Sequence, residues 1–310
     1  MHKHSHTHFN DIKGQITRRM AIALAITLAF VFVEIAAGLY SNSLALLTDA
    51  AHNFTDALAL ALSWWALRLT SQPANPKRTY GYHRAGILVA LVNSTTLALI
   101  AIGIFYEAYH RFVNPPEVGA DVLISVGSLA VVINVVTALM VRRGAENDLN
   151  IRAAFLHLMG DVLSTAGAVG AGVLIRFTGW NRLDPLVSVL IGFLILWNAW
   201  GIIREAINIL MESTPTDIDM EQMVTDIQSV EGVRGVHDLH VWSITGSMRT
   251  LSAHLVTDDM SISEGANVQS QVNELLYQNY GVAHATLQLE CEGCNPALLY
   301  CDLTEQDRIR

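Results

Sequence analysis

The chain has 310 residues, 52% of them hydrophobic and only 15% charged, with a mean hydropathy of +0.36. Soluble domains are nearer one quarter charged, so this composition excludes an ordinary soluble protein and points to a membrane. The net charge of −9 argues against a nucleic-acid partner. The three cysteines, Cys291, Cys294 and Cys301, crowd the C-terminus without a paired framework, which argues against a disulfide-stapled ectodomain.

Residues 1–15 read as a polar arm carrying His2, His4, His6 and His8. Alternating histidine is a metal-buffering composition; a remnant of an expression tag is the other reading. No signal-peptide pattern is visible ahead of the first apolar run. Apolar runs then follow at about Ile16–Leu39, Leu44–Leu69, Ile87–Phe112, Val122–Val141, Ala153–Phe177 and Leu186–Leu210. Each is long enough to cross a hydrocarbon core, which needs about 20 apolar residues. Turn and polar clusters separate them, among them Gln72-Pro-Ala-Asn-Pro and Asn114-Pro-Pro-Glu. Residues 16–212 are therefore expected to form a membrane all-α bundle of six transmembrane helices.

Orientation follows from basic residues. Lys3, Lys13, Arg18 and Arg19 precede the first run. Arg68, Lys77, Arg78 and Arg84 surround the second connection, and Arg142, Arg143 and Arg152 the fourth. The opposite connections hold only Arg111, Arg176 and Arg182. The positive-inside rule predicts a multi-pass protein of the cell's inner membrane with both termini cytoplasmic. A reducing compartment suits the free thiols.

Residues 213–290 change character and read as a cytosolic α+β domain. An amphipathic helix over Asp219–Val230 precedes alternating strands at Val233–Ile244 and Met248–Val256, joined at Thr245-Gly-Ser. A helix over Ile262–Tyr280 and a strand over Val282–Leu289 complete an α-β-β-α-β order. Residues 291–310 are left as a Cys-containing tail.

The membrane segments hold groups that need a reason. Asp49, His52 and Asp56 lie in the second run, His157 and Asp161 in the fifth. Each ionisable group near the bilayer centre costs about 3 kcal/mol on insertion scales. His52 and Asp56 are four apart, as are His157 and Asp161, so each pair stacks on one helix face. Two such faces turned together offer two imidazoles and two carboxylates, the donor set of a tetrahedral Zn²⁺ site whose charge the carboxylates neutralise. A lone His or Asp in a span is as well explained by an interhelical hydrogen bond; the duplicated His-x-x-x-Asp is not. Asp49 reads as a partner behind His52, with a direct ligand or a residue at the outer mouth as alternatives. Glu34, Asn53, Asn93 and Asn134 either line the same polar path or bond neighbouring helices.

Four segments together resemble the cation diffusion facilitator family, in its zinc/cadmium/cobalt efflux branch: SLALLTDAAHNFTDALAL, YGYHRAGILVALVN, NIRAAFLHLMGDVLSTAGAV and VHDLHVWSI. The resemblance runs from Arg18 to about Glu290. It implies a homodimeric proton-coupled antiporter that exports Zn²⁺, with Cd²⁺ or Co²⁺ as further cargo, and a metallochaperone-like cytosolic domain. It places the transport ligands on His52, Asp56, His157 and Asp161. It implies a cytosolic zinc site at His237, His254, His284 and Glu290 and a second one at Cys291 and Cys294; surface histidines and solvated thiols are the other reading, and the His arm is a candidate to complete the cysteine site. His240, which precedes Val-Trp, is expected at a domain interface instead. The resemblance also supports a charge pair between Arg84 and Glu212 where the third and sixth spans meet the soluble domain. Two family features are absent: a long His-rich loop in the fourth connection, which is only Arg142–Arg152, and an acidic and His cluster after the second span.

Metal and protons compete for the same ligands, because His must be neutral and Asp ionised to bind. That chemistry suits alternating access in a lipid bilayer, with divalent ions and protons as the transported species. A membrane metal sensor with a structural intramembrane zinc site is the alternative. A carrier of organic cations predicts aromatic cages and ranks lower. No nucleophile motif or phosphate loop suggests an enzyme.

Overall fold

The computed structural model describes residues 25, 28–142, 149–246 and 248–291. The His arm and Cys294 lie outside these residues. Contacts group the described chain into two units, one holding residues up to Trp65 with Val92–Ile203, the other Ala66–Leu91 with residues from Arg204 onward.

The first unit is helical. Helix α1 (Leu28–Tyr40) turns through Asn42, whose φ of +51° asparagine tolerates, into α2 (Leu44–Thr70). Helices α3 (Ala85–Val113), α4 (Ala120–Arg142), α5 (Leu149–Thr178) and α6 (Leu183–Leu210) follow. Among the described residues, α3, α6, Ala120–Leu139 of α4 and Leu158–Thr178 of α5 are long and apolar enough to cross a membrane. The described part of α1 is shorter, and α2 spends part of its length on Asp49, His52 and Asp56.

Small residues bring these helices together. Ala45, Ala101, Ala168 and Ala199 pack with Leu97, Ile191 and Ile195. A Cβ added at Gly172 of α5 would come within 3.0 Å of Leu123 on α4, so this crossing needs glycine. Large apolar side chains such as Leu163, Phe193 and Trp197 point outward, as a lipid solvent requires. Polar groups turn inward: Glu34, Ser43, Thr48, Asp49, Asn134, Asp161, Thr165 and Asp184 are all buried.

The buried carboxylate of Asp184 explains one helix junction. It accepts from Ser43 Oγ (2.6 Å), Leu44 N (2.6 Å) and Ala45 N (3.3 Å), so the second residue of α6 caps the N-terminus of α2. A helix start carries unsatisfied N–H groups and a partial positive charge, and a carboxylate answers both.

In the second unit, α7 (Met220–Gln228) is capped by Asp219. Strands β1 (Val233–Thr245) and β2 (Met248–Thr257) pair antiparallel, and β3 (Val282–Glu290) lies parallel to β2 after α8 (Ile262–Tyr280). A Ser261/Glu264 capping box starts α8, and Gly281, at φ +65°, ends it. Met223, Ile227, Leu239, Leu251, Leu255, Val272 and Leu276 fill the core. One irregularity matters: β1 bulges between His237 and His240, with Asp238 at φ +48°.

Candidate metal centres

Two clusters of metal-ligand side chains stand out among the described residues, one in each unit.

The first is His52, Asp56 and Asp161. Helix periodicity stacks His52 and Asp56 on α2, and α5 supplies Asp161. His52 Nε2 lies 3.1 Å from Asp161 Oδ1 and 3.5 Å from Asp56 Oδ2. His52 and Asp161 are buried, whereas the Asp56 side chain is 30% exposed. One imidazole nitrogen thus faces two carboxylates, an arrangement held by a proton or equally by a divalent ion. His157 lies on α5 one turn before Asp161, and its side chain is outside the described set.

Asp49 is not a member of that trio. Thr165 Oγ1 lies 3.0 and 3.1 Å from the two Asp49 carboxyl oxygens and 2.8 Å from the Asp161 carbonyl, alternative acceptors of its one hydroxyl proton. Asn134 donates to Thr165 Oγ1 at 3.4 Å. Asn53 donates to Glu34 at 3.3 Å, and the Glu34 and Asp49 carboxyl groups face each other.

The second cluster is His237, His254 and Glu290. His237 and His254 are direct cross-strand partners, and Glu290 pairs with Val256, two residues further along β2 on the same face. His237 Nε2 lies 3.0 Å from Glu290 Oε2, and His254 Nδ1 lies 2.9 Å from Glu290 Oε1 without hydrogen-bond alignment. A buried and a half-buried imidazole converging with a carboxylate in this way fit Zn²⁺. Asp238, turned by the bulge, meets His254 Nε2 at 3.6 Å and His240 Nε2 at 3.0 Å, behind the candidate ligands.

His284 corrects the expected four-residue site. It is exposed and pairs with Thr250, whereas His254 pairs with Gln288. At about 3.3 Å per residue, four residues of strand separate it from His254 by about 13 Å. Strand parity puts His284 on the right face, but the register puts it too far along. Cys291 is exposed, with its Sγ 3.9 Å from the Asp258 carbonyl. His240 lines a cavity of about 340 Å³ with Glu212, Thr214 and Trp242.

Arg84 and Glu212 meet at 3.0 Å, with their side chains 36% and 60% exposed. Glu212 follows α6 at φ +57°, and Ser213 N reaches back to the Asn208 carbonyl, so a glutamate occupies a left-handed capping position usually held by glycine.

The family model for the cation efflux transmembrane domain matches residues 20–211. The chain is a member of the cation efflux family. A second model, the cation efflux protein cytoplasmic domain, matches residues 215–292. This cation efflux protein is 37% identical to the cadmium, cobalt and zinc/H⁺–K⁺ antiporter of Bacillus subtilis, covering 92% of this chain and 93% of that one. It is 35% identical to the metal cation efflux system protein CzcD of Cupriavidus metallidurans, over 94% and 92% of the two chains. It is 32% identical to the zinc transporter ZitB of Escherichia coli, over 95% and 94%. The metal-bound C-terminal domain of the Cupriavidus CzcD transporter matches at 27% identity over 24% of this chain and 99% of that one, with a TM-score of 0.22. Relatives of these names place the chain in the zinc/cadmium/cobalt efflux branch, and the family consists of transporters, not enzymes.

Three residues of these networks escape a reading of the sequence. Thr165 follows Asp161 by one helical turn, so its position on the ligand face was available in the spacing. Asp238 sits between two histidines, but only the bulge turns it toward them. Asp184 precedes Pro185 at a helix start, which signals a cap but not that it caps another helix.

Proposed function

We propose that this protein exports Zn²⁺, with Cd²⁺ and Co²⁺ as further cargo, in exchange for protons. The reading carries with it six spans per subunit, a homodimer in the inner membrane and cytoplasmic termini. The observation that carries it is the buried His52/Asp56/Asp161 cluster inside an apolar helical bundle. Two carboxylates and an imidazole neutralise and coordinate a divalent ion where water is scarce, and His157, one turn from Asp161, supplies the fourth donor by spacing.

Proton coupling follows from the same atoms. His52 Nε2 faces Asp161 and Asp56 across distances that a shared proton bridges, and the ion must displace that proton to bind. Opened toward an acidic exterior, the site takes protons and sheds metal; opened toward the cytoplasm, it does the reverse. The antiport named for the Bacillus relative agrees with this chemistry.

His237, His254 and Glu290 are assigned as a cytosolic zinc site with Asp238 orienting His254, and Arg84–Glu212 as the clamp between the third and sixth spans. A pure sensor role has little support beside relatives named as efflux proteins and transporters. Purified protein in liposomes tests the reading. Zinc movement should track an imposed pH gradient and reverse when the gradient is reversed. Zinc binding without flux under either gradient would leave a sensor instead.

A further inference from the structure

Between the cation site and the α1–α2 turn lies a second buried acidic pair that the exchange chemistry above does not use. Glu34 sits six residues before the end of α1, and Asp49 five residues after the start of α2. Glu34 is wholly buried and Asp49 nearly so. Their carboxyl groups touch. Glu34 Oε2 accepts from Asn53, but Oε1 has no donor facing it among the described residues. Among the described residues, the groups facing Glu34 are Asn53 and Asp49, both on α2; behind Asp49 stand Thr165 and, electrostatically, His52 and Asp161.

Two carboxyl groups in contact, out of water and with one Glu34 oxygen undonated, are a like-charge pair in which ionisation of both is disfavoured. A proton on one of them removes the repulsion and supplies the missing donor at once. A metal ion is a poor occupant: neither carboxyl belongs to a ligand cluster among the described residues, and no imidazole or thiol there completes one with them. We propose that Glu34 and Asp49 together bind one exchangeable proton, in addition to those bound by the cation ligands, and that this proton belongs to the transport cycle. The inference rests on the antiport reading.

Coupling comes from distance. Asp49 is three residues from His52 on α2, about 4.5 Å of helix rise. A divalent ion arriving at His52 and Asp161 adds positive charge beside the pair and favours its anionic form, so the pair releases its proton as the metal binds. When the metal leaves, the pair takes a proton back. Its position toward the α1–α2 turn, the outer turn in the orientation set by the basic residues, suits loading from outside.

Proton release on zinc binding tests this, read with a pH dye in weakly buffered detergent solution on the full chain. Glu34→Gln keeps the shape and the acceptor for Asn53 but has no proton to lose. It should bind zinc and release fewer protons than the parent, by about one per transport-site ion. Asp49→Asn removes the same site from its other half and should show the same deficit. Release equal to the parent in either folded variant overturns the proposal. The parent alone gives a further readout: zinc should abolish the infrared C=O band of a protonated buried carboxyl, and persistence of that band unchanged also overturns it. If the parent binds zinc but moves none against a pH gradient, the antiport reading fails while the proton count still decides whether the pair titrates.

Discussion

His52 is the residue on which the chemistry turns, because a single ring nitrogen addresses carboxylates from two helices. Replacing it by aspartate exchanges a nitrogen donor for a harder oxygen donor and alters the preferred ion geometry. His52→Asp should therefore raise Cd²⁺ transport relative to Zn²⁺; an unchanged ratio in competition flux would remove His52 as a selectivity ligand. Asp161→Asn keeps the shape but loses a charge that the bound cation requires. It should stop transport while the protein still runs as a folded species, and flux at the parental rate would contradict a shared site between α2 and α5. Both residues were readable from the four-residue spacing alone, since that periodicity is local. That Asp49 meets Thr165 and Glu34 was not, because hydrogen bonds between helices leave no period in the chain.

Among the elements, α2 depends most on another helix. Its first N–H groups and Ser43 are answered by Asp184, which lies 141 residues from Ser43 in the chain. With Asp184→Ala, two buried backbone donors lose their acceptor, at about 1–3 kcal/mol each. The expected outcome is a clear loss of thermal stability in detergent and poorer flux, because α2 carries His52 and Asp56. Asp184→Asn retains an acceptor and should recover part of the stability; equal melting temperatures for all three proteins would show that the cap contributes nothing. Sheet register governs the other unit in the same way. Alternation in β3 placed His284 and Glu290 on one face, but pairing of Thr250 with His284 sets that histidine four rows from His254.

At the scale of the whole molecule, the contact between Arg84 and Glu212 joins residues 128 apart in the chain. The pair is partly exposed, a class usually worth at most about 1 kcal/mol. Glu212 nevertheless holds a left-handed conformation that costs a non-glycine residue about 1–2 kcal/mol. Arg84→Glu alone should weaken dimer integrity or transport, and adding Glu212→Arg should restore part of it. A double variant no better than the sum of the single changes, in crosslinking and in flux, would dismiss the pair.

The sequence by itself determined the layout of this protein: apolar helices long enough for a bilayer, a following α-β-β-α-β domain, and the donor types at each candidate metal centre. Those features follow from composition and from short-range periods of 3.6 and 2 residues, which any local window contains. Only the tertiary structure decided what the other carboxylates meet. Asp49 turns to Thr165 and Glu34, Asp184 caps α2, and Asp238 leans behind His254. Each choice depends on helix crossings, a strand register or a bulge, and these are settled by packing between segments far apart in the chain.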